Sequence, residues 1–281
     1  HPFLLGDTAL RSAAHFNVPA VFTHHTMYEQ YTHYLPGDSP AMRQFAAALA
    51  TEFANLCDHV IAPSRSIADI LRSRGVRVPI TAIATGIAFE RFSAGQGSRG
   101  RAACGVPPGA RVVGHVGRLA VEKNLPFLAG AVARVLQAQP DAWFLVVGSG
   151  PAAAEVRLAC LAAGVDDRLR LTGTLDNQEL ADAYAAMDVF AFASLSETQG
   201  LVLAEAMASG TPVAAIDAPG ARDVVVDGMN GRLLAEPDEA AFAAAVAELL
   251  DLPAARRADY RREARATAAA LAMPACAGQV L

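Results

Sequence analysis

The sequence predicts an α/β protein built from two doubly wound domains, each with a parallel sheet covered by helices. Short runs of apolar, largely β-branched residues alternate with segments of amphipathic helical pattern along the chain. The strand-like runs are apolar throughout, which is typical of parallel strands buried on both faces. A segment rich in glycine and proline, residues 93–110, separates two such series and predicts a domain boundary.

Composition excludes several classes of protein. The 281 residues are 53% hydrophobic with a formal net charge of −5, which excludes a disordered chain. No run reaches the roughly 18 uninterrupted apolar residues of a membrane span, so we expect a soluble protein. A pI near 5.8 gives no broad basic field, so nucleic acid is not an expected partner. Four cysteines without metal-ligand or redox spacing are expected to be thiols in a reducing compartment: Cys57, Cys104, Cys160 and Cys276.

The first domain is predicted to comprise residues 1–95. Its strands are expected at residues 18–23, 59–62 and 80–84, and its helices at residues 40–55 and 66–74. The chain opens at His1, with neither an initiator methionine nor a signal-peptide pattern. Its first residues are typical of the interior of a longer sequence, so we expect an N-terminal truncation and an incomplete first domain.

The second domain repeats the alternation after a linker that we place at residues 96–110. Residues 93–110 contain five glycines and two prolines without periodicity. Expected strands are residues 111–116, 143–147, 169–172, 189–193 and 212–216, with helices at 125–138, 152–163, 177–187, 201–209, 239–250 and 253–271. The domain is placed at residues 111–255, and the segment 256–281 is expected to be a helix packing back towards the first domain.

The loop after strand 111–116 predicts an anion site. Parallel strands end at one edge of a sheet, so ligands are expected in loops that follow strands, in a cleft between the domains. This loop holds Arg118 and Lys123, the single lysine among 23 basic residues. A guanidinium fork, an ammonium and the free amides of a helix N-terminus together suit a diphosphate. The alternative is a solvated basic turn paired with Glu122.

The loop after strand 189–193 places two carboxylates around a helix start. Glu197 precedes the helix, and Glu205 lies within it, about 7.5 Å along the axis from Gly200 at 1.5 Å per residue. Gly200 permits close approach to the free amides of Leu201 and Val202. Carboxylates accept hydrogen bonds from vicinal hydroxyls, so this loop suits a sugar–diphosphate–ribose ligand. Alternatively, Glu197 only complements the helix dipole and Glu205 faces solvent.

Histidines are concentrated in the first domain, where six of the seven lie within the first 59 residues. His24 and His25 follow strand 18–23, where an imidazole can carry a proton or donate a hydrogen bond. No ligand spacing supports a metal site. A purely structural role for either histidine remains the alternative.

Residues 148–153 match the G-x-G-x-x-A pattern of a dinucleotide-binding turn between a strand and a helix. That fingerprint requires an acidic residue at the end of the next strand, about 20 residues on. Asp166 and Asp167 instead precede strand 169–172. The pattern is therefore weak evidence for a nicotinamide cofactor.

Two segments resemble the signatures of family-4 retaining glycosyltransferases, which have the two-domain GT-B fold. They are V-G-R-L-A-V-E-K-N (116–124) and S-E-T-Q-G-L-V-L-A-E-A-M-A-S-G-T-P-V (196–213). Residues 218–234, 62–71 and the A-T-G-I turn (84–87) are similar to further segments of the family. The resemblance covers nearly the whole chain, and it implies two Rossmann-like domains that face a cleft.

The resemblance also implies a role for each matching residue. Arg118 and Lys123 would bind the donor diphosphate, Glu197 the donor sugar and Glu205 the ribose. His25 would approach the transferred sugar, and the Gly173–Leu175 loop would lie beside the base. The implied catalytic residues are His25, Arg118, Lys123 and Glu197. The implied donor-binding residues are Gly117, Arg118, Lys123, Gly173, Leu175, Glu197, Thr198, Gly200, Leu201, Val202 and Glu205.

The family resemblance implies transfer with retention of configuration, by same-face attack of the acceptor hydroxyl as the diphosphate leaves. Stabilisation of that leaving group is then the main catalytic effect. With Arg118 and Lys123 to neutralise the diphosphate and no Asp-x-Asp pair, we expect neither a metal nor another cofactor. A UDP-sugar, with glucose as the hexose, is the favoured donor, and GDP-mannose is the alternative.

The S-E-T-Q-G sequence and the opening P-F-L-L-G-D-T…T-H-H-T-M-Y-E-Q-Y-T-H-Y resemble the branch that glucosylates diacylglycerol or related lipids. A lipid acceptor implies peripheral membrane contact, in the cytoplasm at the inner face of the plasma membrane. Residues 1–100 carry eight arginines against seven acids, however, and so lack the expected basic surplus. A saccharide or small-molecule acceptor is the alternative.

Three other functions compete with glycosyl transfer. A sugar-nucleotide epimerase would use the same cleft and would release free nucleotide without a second acceptor. A nicotinamide oxidoreductase would use the turn at 148–153 and bind NAD rather than UDP. A non-catalytic sugar-binding module would bind the donor and release nothing.

Overall fold

Every strand observed in the computed structural model runs parallel to its neighbours, as the apolar runs predict. The structure describes residue 2 and residues 4–34 and 36–279. These residues divide into two compact units, unit 1 up to Thr85 and unit 2 from Gly86 to Gln279. Residues 1, 3, 280 and 281, which belong to the predicted terminal segments, lie outside the described residues. Within the described residues, no helix is long and apolar enough to cross a membrane.

Unit 1 contains a three-stranded parallel sheet in the order β1-β2-β3. Its elements are α1 (Leu4–Phe16), β1 (Val21–Thr23), α2 (Pro40–Asn55), β2 (His59–Ala62), α3 (Arg65–Ser73) and β3 (Ile80–Ala82). The Ser39 and Ser64 hydroxyls cap α2 and α3 by accepting hydrogen bonds from backbone amides. Helix α1 is not predicted by the sequence pattern, because its apolar residues are divided between two sides. Leu10 packs against the unit 1 core, whereas Leu4, Leu5 and Phe16 are exposed.

Unit 2 contains a six-stranded parallel sheet in the order β6-β5-β4-β7-β8-β9. Its strands are β4 (Arg111–Val116), β5 (Ala142–Val147), β6 (Leu169–Leu171), β7 (Val189–Phe192), β8 (Val213–Ile216) and β9 (Gly231–Leu234). Its helices are α4 (Phe89–Ser93), α5 (Gly97–Ala103), α6 (Leu125–Ala138), α7 (Ala153–Ala162), α8 (Asn177–Ala186), α9 (Leu201–Ala208), α10 (Pro219–Arg222), α11 (Glu239–Leu250), α12 (Ala254–Ala270) and α13 (Met273–Ala277). This order confirms the doubly wound prediction.

The central strands of the unit 2 sheet are buried on both faces, which explains why β5, β7 and β8 are apolar throughout. In β5, Leu145 and Val147 belong to one buried cluster, whereas Phe144 and Val146 belong to the other. Alternate side chains thus enter two separate cores. The sheet is the rigid support from which the site loops extend.

The predicted linker is wrong, because residues 97–103 form helix α5 and pack against α8. A Cβ atom on Gly100 would lie 2.1 Å from the Asp182 carbonyl oxygen. Arg99 also pairs with the Asp182 carboxylate, and Arg101 with Asp188 at 2.9 Å. The glycines of this segment therefore permit close helix packing rather than flexibility. The segment 96–110 belongs to unit 2, which begins at Gly86 rather than at residue 111.

The long helix α12 packs on α9, with Ala264 and Ala268 fully buried. The chain that follows α12 bonds to the start of unit 2. The Ile87 amide donates to the Leu271 carbonyl at 2.9 Å, and the Met273 amide donates to the Ile87 carbonyl at 3.1 Å. The predicted contact of 256–281 with the first domain stays a prediction.

Candidate functional site: a crevice between strands β4 and β7

Strands β4 and β7 are neighbours in the sheet, yet their crossover connections leave in opposite directions. Their backbone pairing joins Val113 to Val189 and Gly114 to Phe190. The loops after these two strands are those with the predicted cations and carboxylates. A crevice at such a reversal of strand order is where doubly wound sheets bind ligands. The predicted site residues of unit 2 therefore lie at one edge of one sheet.

The loop after β4 carries the two predicted cations. It runs into a short 3-10 turn, Val121–Lys123, and Asn124 adopts a left-handed conformation (φ 54°) before α6 begins. The Arg118 side chain is half exposed and bonds to the Glu122 carboxylate, which is buried. The pairing with Glu122 considered above is therefore present for Arg118. Lys123 is not part of it.

Lys123 joins the two site loops. Its ammonium lies 3.2 Å from Glu197 Oε2, and both side chains are about four-fifths buried, at 19% and 18% exposure. The same ammonium lies 5.9 Å from the centre of the Phe192 ring, in cation–π range. Ser194 and Ser196 add bonds of 3.3 and 3.4 Å from their hydroxyls to the Glu122 carbonyl oxygen. These contacts place the only lysine beside the first carboxylate of the E-x₇-E segment.

Glu197 also faces the start of α9. Its Oε1 accepts a hydrogen bond from the Gly200 amide at 3.4 Å, and its carbonyl accepts one from Gly220 at 3.0 Å. Gly200 has φ 76°, and a Cβ atom there would lie 2.8 Å from the Gly220 carbonyl oxygen. The dipole-complementing role considered for Glu197 is present together with its bond to Lys123. Thr198, Leu201 and Val202 lie in the same loop and the first turn of the helix.

Glu205 does not simply face solvent, contrary to the alternative considered above. It is half-buried in α9, and its Oε2 accepts a 2.8 Å hydrogen bond from the Tyr184 hydroxyl. Burial raises the pKa of Glu205, while the Tyr184 bond and the positive charge of Arg91 oppose that rise. Neither Tyr184 nor Arg91 is singled out by the sequence, because each lies in a segment with no motif of its own.

A cavity of about 300 Å³ lies beside the Arg118 loop. It brings together Gly117, Arg118 and the loop after β6, where Gly173 and Leu175 are predicted to approach the base. Leu175 and Leu180 give it an apolar wall. The lining residues are Val116, Gly117, Arg118, Val147, Gly148, Ser149, Thr174, Leu175 and Leu180.

The glycines of the turn at 148–153 have a structural explanation. A Cβ atom on Gly148 would lie 1.9 Å from the Gly117 carbonyl oxygen, and one on Gly150 would lie 2.2 Å from that of Leu119. The Leu119 amide donates to the Ser149 carbonyl at 2.9 Å. This turn therefore packs against the Arg118 loop and supports it.

The two candidate histidines lie after β1 in unit 1 and differ in their surroundings. His24 is 1% exposed, and neither of its ring nitrogens has a hydrogen-bond partner among the residues that the structure describes. His25 is exposed, although partial desolvation of its ring lowers its pKa below the ordinary value. Burial lowers the pKa of His24 in the same direction. Both rings are therefore neutral at pH 7, and His25 is the accessible one. Among the described residues, no cluster of three or more His, Cys, Asp or Glu could hold a metal ion.

Family models match both units. The model described as Glycosyltransferase Family 4 matches residues 1–91, and that described as Glycosyl transferases group 1 matches residues 110–252. The second match contains both signature segments and every site residue described above for unit 2 except Arg91.

Two curated relatives show the range of this similarity. The alpha-monoglucosyldiacylglycerol synthase of Streptococcus pneumoniae is 31% identical over 236 residues, covering 82% of this chain and 54% of the synthase. The GDP-mannose-dependent alpha-mannosyltransferase of Mycolicibacterium smegmatis is 33% identical over 282 residues, covering 100% of this chain and 70% of that enzyme. The chain thus spans about half the length of the first relative.

The fold is shared with solved structures. The crystal structure of Anabaena Alr3699/HepE in complex with UDP and glucose superposes with a TM-score of 0.82 at 23% identity, covering 98% of this chain and 73% of that one. This likeness concerns the fold, which has two Rossmann-like domains. Taken with the family models and the relatives, it shows that the chain belongs to glycosyltransferase family 4.

Proposed function

We propose that the protein is a retaining glycosyltransferase that moves a hexose from a nucleotide diphosphate sugar to a hydroxyl acceptor. The observation that carries this proposal is the contact between Lys123 and Glu197 at 3.2 Å. It joins a cation-bearing loop and a carboxylate-bearing helix start at the strand reversal of one sheet. A diphosphate and the sugar attached to it need those two kinds of group side by side.

Arg118 and Lys123 are the proposed ligands of the diphosphate. The guanidinium presents a planar fork to phosphate oxygens, and the ammonium is a compact point charge. The backbone amides of Leu201 and Val202 in the first turn of α9 add donors and the positive end of a helix dipole. These groups stabilise the negative charge that develops on the leaving diphosphate, which is the main catalytic effect required. Since two side-chain cations are present, we propose that no metal or other cofactor takes part.

Glu197 is the proposed partner of the donor sugar. Its carboxylate lies beside Lys123 and can accept hydrogen bonds from sugar hydroxyls, with Thr198 and the backbone around Gly200 beside it. Glu205 is assigned to the ribose, and the Gly173–Leu175 loop to the base. The apolar wall of the 300 Å³ cavity supports the last assignment, because it offers a surface for a flat ring.

His25 is assigned to the reacting groups from unit 1. Its exposed, neutral imidazole can donate one hydrogen bond and accept another at pH 7. We propose that it binds a hydroxyl of the transferred sugar, as the resemblance implies. His24 is assigned a structural role, since its ring is buried.

A lipid such as diacylglycerol is the proposed acceptor, and UDP-glucose the proposed donor. The pneumococcal relative, named for glucosylation of a diacylglycerol lipid, supports the acceptor, and the HepE complex with UDP and glucose supports the donor. This assignment implies contact with the inner face of the plasma membrane. The mycobacterial relative, named for use of GDP-mannose, makes that sugar nucleotide the donor to test against it.

A thermal-shift panel tests the donor site. The ligands are UDP, GDP, ADP, UDP-glucose, GDP-mannose and NAD, and the proteins are wild type, Lys123→Ala and the surface control Arg262→Ala. A ligand at 100 times its dissociation constant stabilises the folded protein by about 2.7 kcal/mol. We expect a shift with UDP and UDP-glucose that Lys123→Ala abolishes and Arg262→Ala leaves intact. A shift with NAD alone, or one unaffected by Lys123→Ala, would contradict the assignment.

A second assay separates transfer from the competing reactions. UDP release from UDP-glucose is measured with and without vesicles containing diacylglycerol. Glycosyl transfer predicts UDP and a glucolipid in equal amounts only when the vesicles are present. Free nucleotide or an isomerised sugar without an acceptor would instead indicate an epimerase.

A further inference from the structure

We propose that Tyr184 is a positioning residue, which holds the Glu205 carboxylate in one orientation so that it selects ribonucleotide over 2′-deoxyribonucleotide donors. This inference rests on the proposed function, because it concerns the same donor site. It adds a residue to which neither the sequence motifs nor the comparisons assign a role.

The Tyr184 ring is fixed by its surroundings. Tyr184 lies in α8 and is fully buried. The ring packs edge-on against Phe92 at 5.5 Å between centroids and tilts against Phe190 at 5.8 Å. In a close-packed core a ring held in this way keeps one rotamer. The hydroxyl is therefore presented at a single place, 2.8 Å from Glu205 Oε2.

The direction of the hydrogen bond is also fixed. Burial raises the pKa of Tyr184 well above its ordinary value, and the nearby Glu205 charge adds to this rise. The phenol therefore keeps its proton and donates, and the carboxylate accepts. Because a carboxylate has about four acceptor positions, one such bond leaves the rest for a ligand. Two vicinal hydroxyls that both donate are a chemical match for a carboxylate held in this way.

The position along the helices supports a ribose as the ligand. The Leu201 amide, which is assigned to the diphosphate, lies at the start of α9. Glu205 follows four residues later, about 6 Å along the helix axis at 1.5 Å per residue. On α8, Leu180 lines the cavity assigned to the base, and Tyr184 is one turn later on the same side of the helix. Diphosphate, ribose and base sites thus follow one another in the order of a nucleotide.

A purely structural role is the competing explanation, in which Glu205 only satisfies a buried phenol. The two explanations differ in what the Tyr184 oxygen affects. A structural bond changes the free energy of unfolding alone. A positioning bond also changes how strongly the site distinguishes a ligand with a 2′-hydroxyl from one without it.

Dissociation constants of UDP and 2′-deoxy-UDP, measured by calorimetry, provide the test, with GDP and 2′-deoxy-GDP as a second pair. The proteins are wild type, Tyr184→Phe, Glu205→Ala, the double variant, and Tyr260→Phe as a second buried tyrosine. We expect wild type and Tyr260→Phe to prefer the ribonucleotide by at least about tenfold, the scale of a hydrogen bond to a charged group. Tyr184→Phe should reduce this preference to about threefold or less, chiefly by weakening ribonucleotide binding. In the Glu205→Ala background it should have no further effect on nucleotide binding.

Fluorescence of Trp143, the single tryptophan, checks that each variant is folded. If Tyr184→Phe is too unstable to assay in buffer alone, all the proteins are compared in trimethylamine N-oxide, which strengthens effective burial of apolar groups. A full ribose preference in Tyr184→Phe, or equal binding of both nucleotides by wild type, would overturn the positioning role while leaving the donor site intact. Failure of wild type to bind any nucleotide would overturn the proposed function as well.

Discussion

Lys123 and Glu197 form a charge pair that is mostly buried, with each side chain about four-fifths covered. Removing one partner of such a pair leaves the other charge without compensation. In the proposed donor site this has a specific consequence, because Glu197 neutralises Lys123, the cation that the diphosphate is proposed to bind. Substitution of Lys123 and substitution of Glu197 should therefore have different effects on the affinities for UDP and for UDP-glucose.

Glu197→Gln should separate the binding of UDP from that of UDP-glucose. The substitution leaves Lys123 without a neutralising carboxylate, so UDP should bind as tightly as to wild type or more tightly. The advantage of UDP-glucose over UDP should be lost, and turnover should fall on the order of 100-fold, as for the loss of one transition-state contact. Calorimetry and a UDP-release assay measure both effects, with Glu263→Gln as the surface control. Equal weakening of both ligands would contradict the assignment of Glu197 to the sugar.

His115 of β4 should make the stability of unit 2 depend on pH. It is 1% exposed, and its Nδ1 lies 3.1 Å from the Ala191 carbonyl oxygen. Within the described part of the chain, its Nε2 has no hydrogen-bond partner. Burial, together with the charge of Lys123, lowers its pKa from 6.5 to about 4. Because the folded state resists protonation, stability is full above pH 6.5 and falls as the pH drops towards 4. The loss is at most about 3 kcal/mol.

Urea unfolding followed by Trp143 fluorescence between pH 7 and 4 measures this loss. His115→Phe keeps an aromatic ring beside Phe192 and removes the titrating group, so its stability should fall less steeply over that range. The surface variant His15→Asn should behave like wild type. Equal slopes for wild type and His115→Phe would show that His115 does not carry the effect.

Among the secondary-structure elements, the site depends on loops that pack closely against one another where one of them has a glycine. Gly148 and Gly150 admit the backbone of the Arg118 loop, and Gly220 admits the loop that carries Glu197. No local propensity explains glycine at these positions. Each one is required by the close approach of a second loop. The loops are therefore positioned by one another as well as by the sheet.

Gly220→Ala should disturb the proposed donor site without a change of charge. The added Cβ would lie 2.5 Å from the Gln199 backbone nitrogen, so one of the two loops has to move. We expect a loss of about 1–3 kcal/mol in stability, as for overpacking, and a clear weakening of UDP binding. Gly278→Ala is the matched control, because its Cβ would meet nothing closer than 3.6 Å. Unchanged UDP affinity in Gly220→Ala would contradict the role given to this packing.

At the scale of the whole molecule, the sequence predicts the elements that one local pattern defines. The helices Pro40–Asn55 and Leu125–Ala138 and the strand Arg111–Val116 have the predicted bounds. Their apolar residues repeat with a helical period or form a nearly continuous run, so the local sequence is enough to predict each element. The placement of Arg118, Lys123, Glu197 and Glu205 in loops and a helix start follows from the same alternation.

What the sequence did not predict depends on contacts between distant segments. The sequence of helix α5 is typical of a linker because it contains glycines. These glycines instead permit close packing against α8, which lies some 80 residues later in the chain. Tyr184 is one apolar position in an amphipathic helix until the fold brings it to Glu205. The pairing of Lys123 with Glu197 likewise spans 74 residues. Periodicity and propensity describe neighbouring residues only, so they cannot predict contacts between distant segments.

A crystal structure of the protein with UDP would show directly whether the loops after β4 and β7 form a nucleotide-sugar site. We expect the diphosphate within hydrogen-bond distance of Arg118 and Lys123, the ribose hydroxyls on Glu205 and the base beside Gly173–Leu175. Nucleotide bound at any other place on unit 2, or with its diphosphate away from both cations, would contradict it.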